Sequence, residues 1–208
     1  IGADNPWTIS FGPQDPNNDE RVRDVVIERN WFTAGSGTQI HMHLNCSATT
    51  VRNNVCDLTG GAYHECVDVS RWGGAQQVAP ADVRVYNNTI YSGVAGVHVE
   101  FTGVAIDATA TDVTVINNLG SAPFATDGPV MISGTGASGL VQSNNLLHNV
   151  PGDLFVNATP AVPADFHLIA LPNPARDTGL STVPVPSDFF GTSRPQNGSF
   201  DIGAVEGQ

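Results

Sequence analysis

Lysine is absent from all 208 residues; the eight basic residues are all arginine. That excludes a lysine Schiff base, a P-loop lysine and a lysine general base. Positive charge is scarce as well. Eight arginines face 20 acids, 15 of them Asp, for a net charge of -12. A surface of that sign repels phosphate backbones, which argues against nucleic acid as a partner. No apolar run is long enough for a membrane-spanning helix, which needs roughly 18 or more residues. Leu, Glu and Lys, all strong helix formers, are few, whereas 17 Asn and 22 Gly favour turns.

Cysteine is also sparse: Cys46, Cys56 and Cys66 lie ten residues apart. One disulfide plus a thiol, or three thiols, are both allowed, because geometry decides and spacing does not. The spacing is not a zinc pattern. Low charge with abundant Asn, Thr and Gly suggests a secreted or cell-surface, extracellular protein. The chain starts at Ile1 without a signal peptide, as expected of a processed or trimmed product. N-x-S/T tripeptides stand at Asn45, Asn87, Asn157 and Asn197, but such short motifs arise by chance in an Asn-rich chain.

A repeat is present. V-V-I-E-R-N ends at Asn30, T-V-R-N-N at Asn54, V-R-V-Y-N-N at Asn88, V-T-V-I-N-N at Asn118 and V-Q-S-N-N at Asn145, at spacings of 24, 34, 30 and 27 residues. Each copy is a short β-branched strand running into an asparagine turn. Second strands are expected at 40–44, 65–69, 97–101, 129–133 and 154–157. Short alternating strands returning after roughly 25 to 30 residues, with no helical pattern between them, describe the coils of a solenoid. The expected fold is all-β: a right-handed parallel β-helix of about five to six coils, with equivalent strands about 4.8 Å apart and asparagines stacked in a ladder. A β-sandwich is the alternative, although its turns would not need a repeated Asn pair.

On these V-x-V-x-N-N copies the sequence resembles the secreted right-handed parallel β-helix proteins, the pectate-lyase-like superfamily. Its tail is similar to the terminal segment of bacterial surface β-helix proteins: D-F-H-L at 165–168, A-R-D-T-G at 175–179, S-R-P at 193–195 and D-I-G-A-V-E at 201–206. The resemblance covers about residues 20 to 206. It implies the fold but not one activity, because that superfamily holds lyases, hydrolases, epimerases, adhesins and binding modules.

The coils are expected to fill residues 1–158. Residues 159–208, rich in proline, are expected to form an irregular C-terminal cap of the same domain, over or along the last coils. Asp177, Asp188, Arg194 and Asp201 read as internal pairs holding its loops. No comparable cap is legible at the N-terminus, where Trp7, Ile9 and Phe11 alternate like a strand of an incomplete coil. Upstream coils or self-association through that end would cover it.

Aligning the second strands by their apolar residues places Thr8, His41, Cys66, His98 and Val130 in one outward column. Ser10, His43, Asp68, Glu100 and Ile132 form the next. His41, His43, Asp68, His98 and Glu100 then form one patch, the densest ionisable cluster in the sequence. It suits acid/base work on a polysaccharide by a lyase or glycoside hydrolase, with Asp68 and Glu100 as a carboxylate pair and a histidine as proton carrier. It also suits a divalent metal, or a Ser10–His43–Asp68 line. A solvated polar face, or a non-catalytic glycan-binding or adhesin surface, is the simpler alternative.

Lyases of the resembled family commonly use lysine or arginine as base and calcium to neutralise the substrate carboxylate. Lysine being unavailable, Arg52, Arg71 and Arg84 are the candidates, with Trp72 as a residue that could stack on sugar. Asp15, Asp19, Glu20 and Asp24 are the candidate calcium ligands, although they lack EF-hand spacing.

Overall fold

A computed structural model describes residues 9–11, 22–33, 42–60, 65–71, 78–96 and 100–207. The strands among them are β1 (Ile9–Phe11), β2 (Val26–Glu28), β3 (Trp31–Thr33), β4 (Met42–Leu44), β5 (Ser47–Arg52), β6 (Val55–Asp57), β7 (Glu65–Val69), β8 (Ala81–Tyr86), β9 (Thr89–Tyr91), β10 (Thr102–Ile106), β11 (Thr114–Ile116), β12 (Leu119–Ser121), β13 (Val130–Ser133), β14 (Val141–Ser143) and β15 (Leu146–Leu147). They form three five-stranded sheets: β1-β4-β7-β10-β13, β14-β11-β8-β5-β2 and β15-β12-β9-β6-β3. Every pairing between these strands is parallel, and each strand neighbours the one three elements along. This all-β arrangement is consistent with a β-solenoid and not with a sandwich of antiparallel sheets. No helix among the described residues is long and apolar enough to cross a membrane.

The asparagine ladder is present, and its two residues divide the work. The second residue of each pair makes the ladder. Asn30 donates from its backbone N and from Nδ2 to Asn54 Oδ1 at 3.1 and 3.0 Å. Asn54 does the same to Asn88, Asn88 to Asn118, and Asn118 to Asn145. The first residue takes the left-handed backbone: Arg29, Asn53, Asn87, Asn117 and Asn144 have φ between 49° and 59°. Asparagine reaches that region with little strain.

A second left-handed column runs along the entry to the second sheet, inside β5 and β8 and before β2, β11 and β14: Asp24, Ala48, Asp82 and Asp112 (φ 49° to 58°), then Gly139 (φ 71°). Its sequence signal is the recurrent Asp-Val of R-D-V, A-D-V and T-D-V at 23–25, 81–83 and 111–113. A β-carbon on Gly139 would collide with Asp112 Oδ1, so this rung needs glycine.

The interior follows from strand alternation. In the second sheet Ile27, Val51, Val85 and Val115 stack in register and are all buried. The last rung places Gln142 opposite Val115, and Gln142 is exposed. A polar side chain in an inward position blunts that end of the sheet against pairing with another chain. In the first rung Ile27 and Phe32 are already buried, at 6% and 9% exposure.

The C-terminal segment lies along the flank. Leu154, Phe155, Phe166, Leu168, Ile202 and Val205 pack on the outward residues Val55, Tyr91 and Leu119 of the third sheet. The Phe166 ring sits 5.5 Å from Trp31, 5.9 Å from Tyr91 and 5.1 Å from Phe155. Val183, Val185 and Phe200 cover Tyr86 and Ile116 on the second sheet. The first asparagine of each pair then clamps the backbone of the segment. Asn53 donates to Ser187 O, Asn87 to Asp201 O, Asn117 to Leu180 O and Asn144 to Thr178 O. Residues 154–157, expected as a strand of the stack, do not join it. A 3-10 turn at Pro151–Asp153 redirects the chain, and Phe155 forms an antiparallel bridge with Leu168.

Of the charged residues expected to pair within this segment, Arg194 forms an ion pair, while Asp188 and Asp201 hold backbone N–H groups. Arg194 Nη1 donates to Glu206 Oε2 at 2.6 Å, both side chains being at most 1% exposed. Asp188 accepts from the backbone N–H of Thr192 and of Glu206, and Asp201 from those of Asp177 and Gly207.

Candidate functional site

With the second and third sheets covered, the first sheet keeps a solvated outer face. Asp68, Ala105 and Ser133, opposite one another in the register, are all at least partly exposed. Val67, Val69, Val104 and Ile106 point the other way and are buried. This face is where the sequence places its ionisable patch.

The register keeps two of the five patch residues, His43 and Asp68. Ser10 pairs with His43, and His43 with Asp68, so the three occupy one column on consecutive strands. The placement of Glu100 needs correction. The next strand in the sheet is β10, which sets Asp68 opposite Ala105 and Glu65 opposite Thr102. Glu100 lies before β10, outside the sheet, and is exposed. The column therefore runs Ser10, His43, Asp68, Ala105, Ser133, and the expected Asp68–Glu100 carboxylate pair does not form. The physical reason is that V-H-V-E-F and T-G-V-A-I alternate equally well, so period-2 patterning cannot choose between adjacent runs. Packing decides: a β-carbon at Gly103 would lie 2.7 Å from Met131 Cε, so glycine there lets the next rung's methionine close over the core.

Cys66, expected on the outer face, is buried and forms a disulfide with Cys56, joining β7 of the first sheet to β6 of the third. Cys46 is buried outside this bond. His41, His98 and Trp72, with Asp15, Asp19 and Glu20 of the calcium set, lie outside the described residues. Asp24, the fourth of that set, is an exposed member of the left-handed column. Among the described residues no group of three or more His, Cys, Asp or Glu is placed to hold a metal ion.

At the site itself, Ser70 Oγ donates to Asp68 Oδ2 at 2.8 Å, fixing the carboxylate from its own strand end. Arg71 follows in sequence and faces Asp107. Two hydrogen bonds from Thr109 hold the Asp107 carboxyl below the ordinary value, and the Arg71 charge adds to this. Arg84 is on the second sheet, opposite Thr50 and Thr114, and pairs with Asp82 at 2.6 Å. It decorates the outer wall, away from the patch.

Arg52 is placed differently from the other candidate arginines. It stands between Glu28 and Tyr86 on the second sheet and lines a cleft with Val183, Pro184, Val185, Pro186 and Phe200. Neither Glu28 nor the V-P-V-P run at 183–186 was a candidate on sequence grounds. The cleft exists because two segments 132 residues apart meet, Arg52 Nη1 donating to Pro184 O at 2.7 Å.

No protein-family model matches the chain, no curated protein matches it, and no solved structure matches it.

Proposed function

We propose that the chain is a secreted, right-handed parallel β-helix protein of the pectate-lyase-like kind, with five to six coils, that binds a polysaccharide along the outer face of its first sheet. The observation that supports this best is the His43–Asp68 register pair on the one sheet whose outer face the C-terminal segment leaves solvated. Rungs repeating at about 4.8 Å along a wall suit an extended polymer better than a compact ligand. Loss of Glu100 from the column favours binding over hydrolysis, because glycoside hydrolysis ordinarily needs two carboxylates flanking one bond. A second reading keeps catalysis: His43 beside Asp68 is a proton carrier beside a carboxylate, enough for general acid/base work.

The test is affinity for a glycan panel, with the turnover of each ligand measured in parallel. His43→Ala and Asp68→Ala should each weaken binding of the retained polysaccharide by about tenfold, the effect of losing a hydrogen bond to a charged group. Glu100→Ala should leave it unchanged. Equal affinity in all three variants would refute the assignment of this face. Turnover that vanishes in His43→Ala would establish the catalytic reading.

A further inference from the structure

The Arg52 cleft measures about 510 Å3, within the roughly 300–1,000 Å3 of small-molecule sites. Its walls are valine, proline and phenylalanine, and its one polar lining residue is Arg52, whose ion-pair partner Glu28 stands beside the cleft. Arg52 Nε donates to Glu28 Oε2 at 2.7 Å, and Arg52 Nη1 to Pro184 O at 2.7 Å. The guanidinium is thus pinned on two sides. Its Nη2 has no partner among the described residues. Among the described residues, Arg29 Nη2 lies 3.8 Å from Glu28 Oε1. Arg52 and Glu28 are 22% and 32% exposed, so one donor edge and one acceptor oxygen remain within reach of a ligand.

We propose that this cleft binds a neutral polyhydroxylated ring, the chemistry of an uncharged pyranose unit. An anion would gain little here, since Glu28 already compensates Arg52 and the whole molecule carries -12. A cation would meet the guanidinium. A wholly apolar ligand would strand the exposed edges of the ion pair, which costs free energy. A sugar ring avoids all three penalties: its C–H faces lie on Pro184, Pro186 and Phe200, and its hydroxyls both accept from Nη2 and donate to Oε1. The cleft lies on the second sheet, so this inference does not depend on the role of the first.

The experiment is titration of the protein with neutral methyl glycosides and oligosaccharides, and with matched uronic acids, followed by NMR chemical-shift changes. Neutral sugars should bind in preference to uronates. Pro186→Trp, which fills the cleft from its exposed rim, should abolish binding, and Arg52→Gln should weaken it at least tenfold, with the unfolding midpoint recorded for each. Glu28→Gln leaves the guanidinium uncompensated and should shift preference towards uronates. Neutral-sugar binding that survives Pro186→Trp but is lost in Asp68→Ala would overturn the cleft while leaving the first-sheet reading intact. Preference of the unmodified protein for uronates, or no binding at millimolar sugar, would also overturn it.

Discussion

Asn118 Oδ1 accepts two hydrogen bonds from Asn88, one from the backbone N–H at 3.0 Å and one from the side-chain amide at 2.9 Å. Each ladder oxygen is thus shared by two donors of the preceding rung, and each ladder amide also reaches a strand carbonyl, as Asn88 does to Val51 O at 3.1 Å.

Removing one interior member should therefore cost more than one hydrogen bond. Asn88→Ala strips the acceptor from two Asn54 donors and the donor from Val51 O, all buried. With each stranded group costing about 1–3 kcal/mol, a loss of roughly 3–5 kcal/mol is expected. Asn30→Ala, at the exposed end of the ladder, should cost about 1 kcal/mol. Urea denaturation followed by circular dichroism measures both. Similar losses at the two positions would show that the ladder is not cooperative in this way.

The flank segment should be strongly coupled to the stack. Phe166 is fully buried among Trp31, Tyr91 and Phe155. Phe166→Ala should destabilise by about 3–5 kcal/mol, the range for deleting a buried aromatic ring. Arg194→Gln should cost a similar amount, about 3–5 kcal/mol, because it leaves Glu206 buried without its cation. Native-state hydrogen exchange then distinguishes two cases. Amides of the third sheet should lose protection together with those of 154–206; loss confined to the segment would mean that it docks as an independent flap.

Stability should rise on mild acidification. Asp57 is buried, and burial raises its carboxyl pKa above the ordinary value despite hydrogen bonds from Thr59. Burial also raises Asp201 and Glu206. A raised folded-state pKa means that the native protein takes up protons before the unfolded chain does. Stability therefore falls as pH rises from the unfolded value through the folded one, and recovers on acidification. Asp107 and Asp165, whose pKa values are lowered, act in the opposite sense only below the ordinary carboxylate value. The urea midpoint should thus increase as the pH is lowered from neutrality towards the ordinary carboxylate value, and Asp57→Asn should flatten that slope without loss at neutral pH. A midpoint that falls steadily over the same interval would contradict this assignment.

The parts legible in the sequence were those that repeat locally. The V-x-V-x-N-N copies marked the turn, the ladder and the second-sheet strands, because the same short-range requirement recurs once per rung. The Asp-Val copies carried an equally local signal for the second left-handed column. The first-sheet register was only partly legible. His43 and Asp68 aligned correctly from their apolar neighbours, but two overlapping alternations at 97–106 put Glu100 where Ala105 belongs. Local pattern contains no information on which run pairs.

By itself, the sequence determined an acidic, lysine-less chain of short parallel strands stacked on asparagine. It did so because strand alternation and left-handed turns are properties of a few adjacent residues. Only the tertiary structure decided what covers the outer faces. Asn87 meets the carbonyl of Asp201 across 114 residues of chain, and Arg52 meets that of Pro184 across 132. Contacts of that range depend on the whole stack being formed. They cover two sheets, leave the first solvated, and open the Arg52 cleft between a strand and a segment that no periodicity connects.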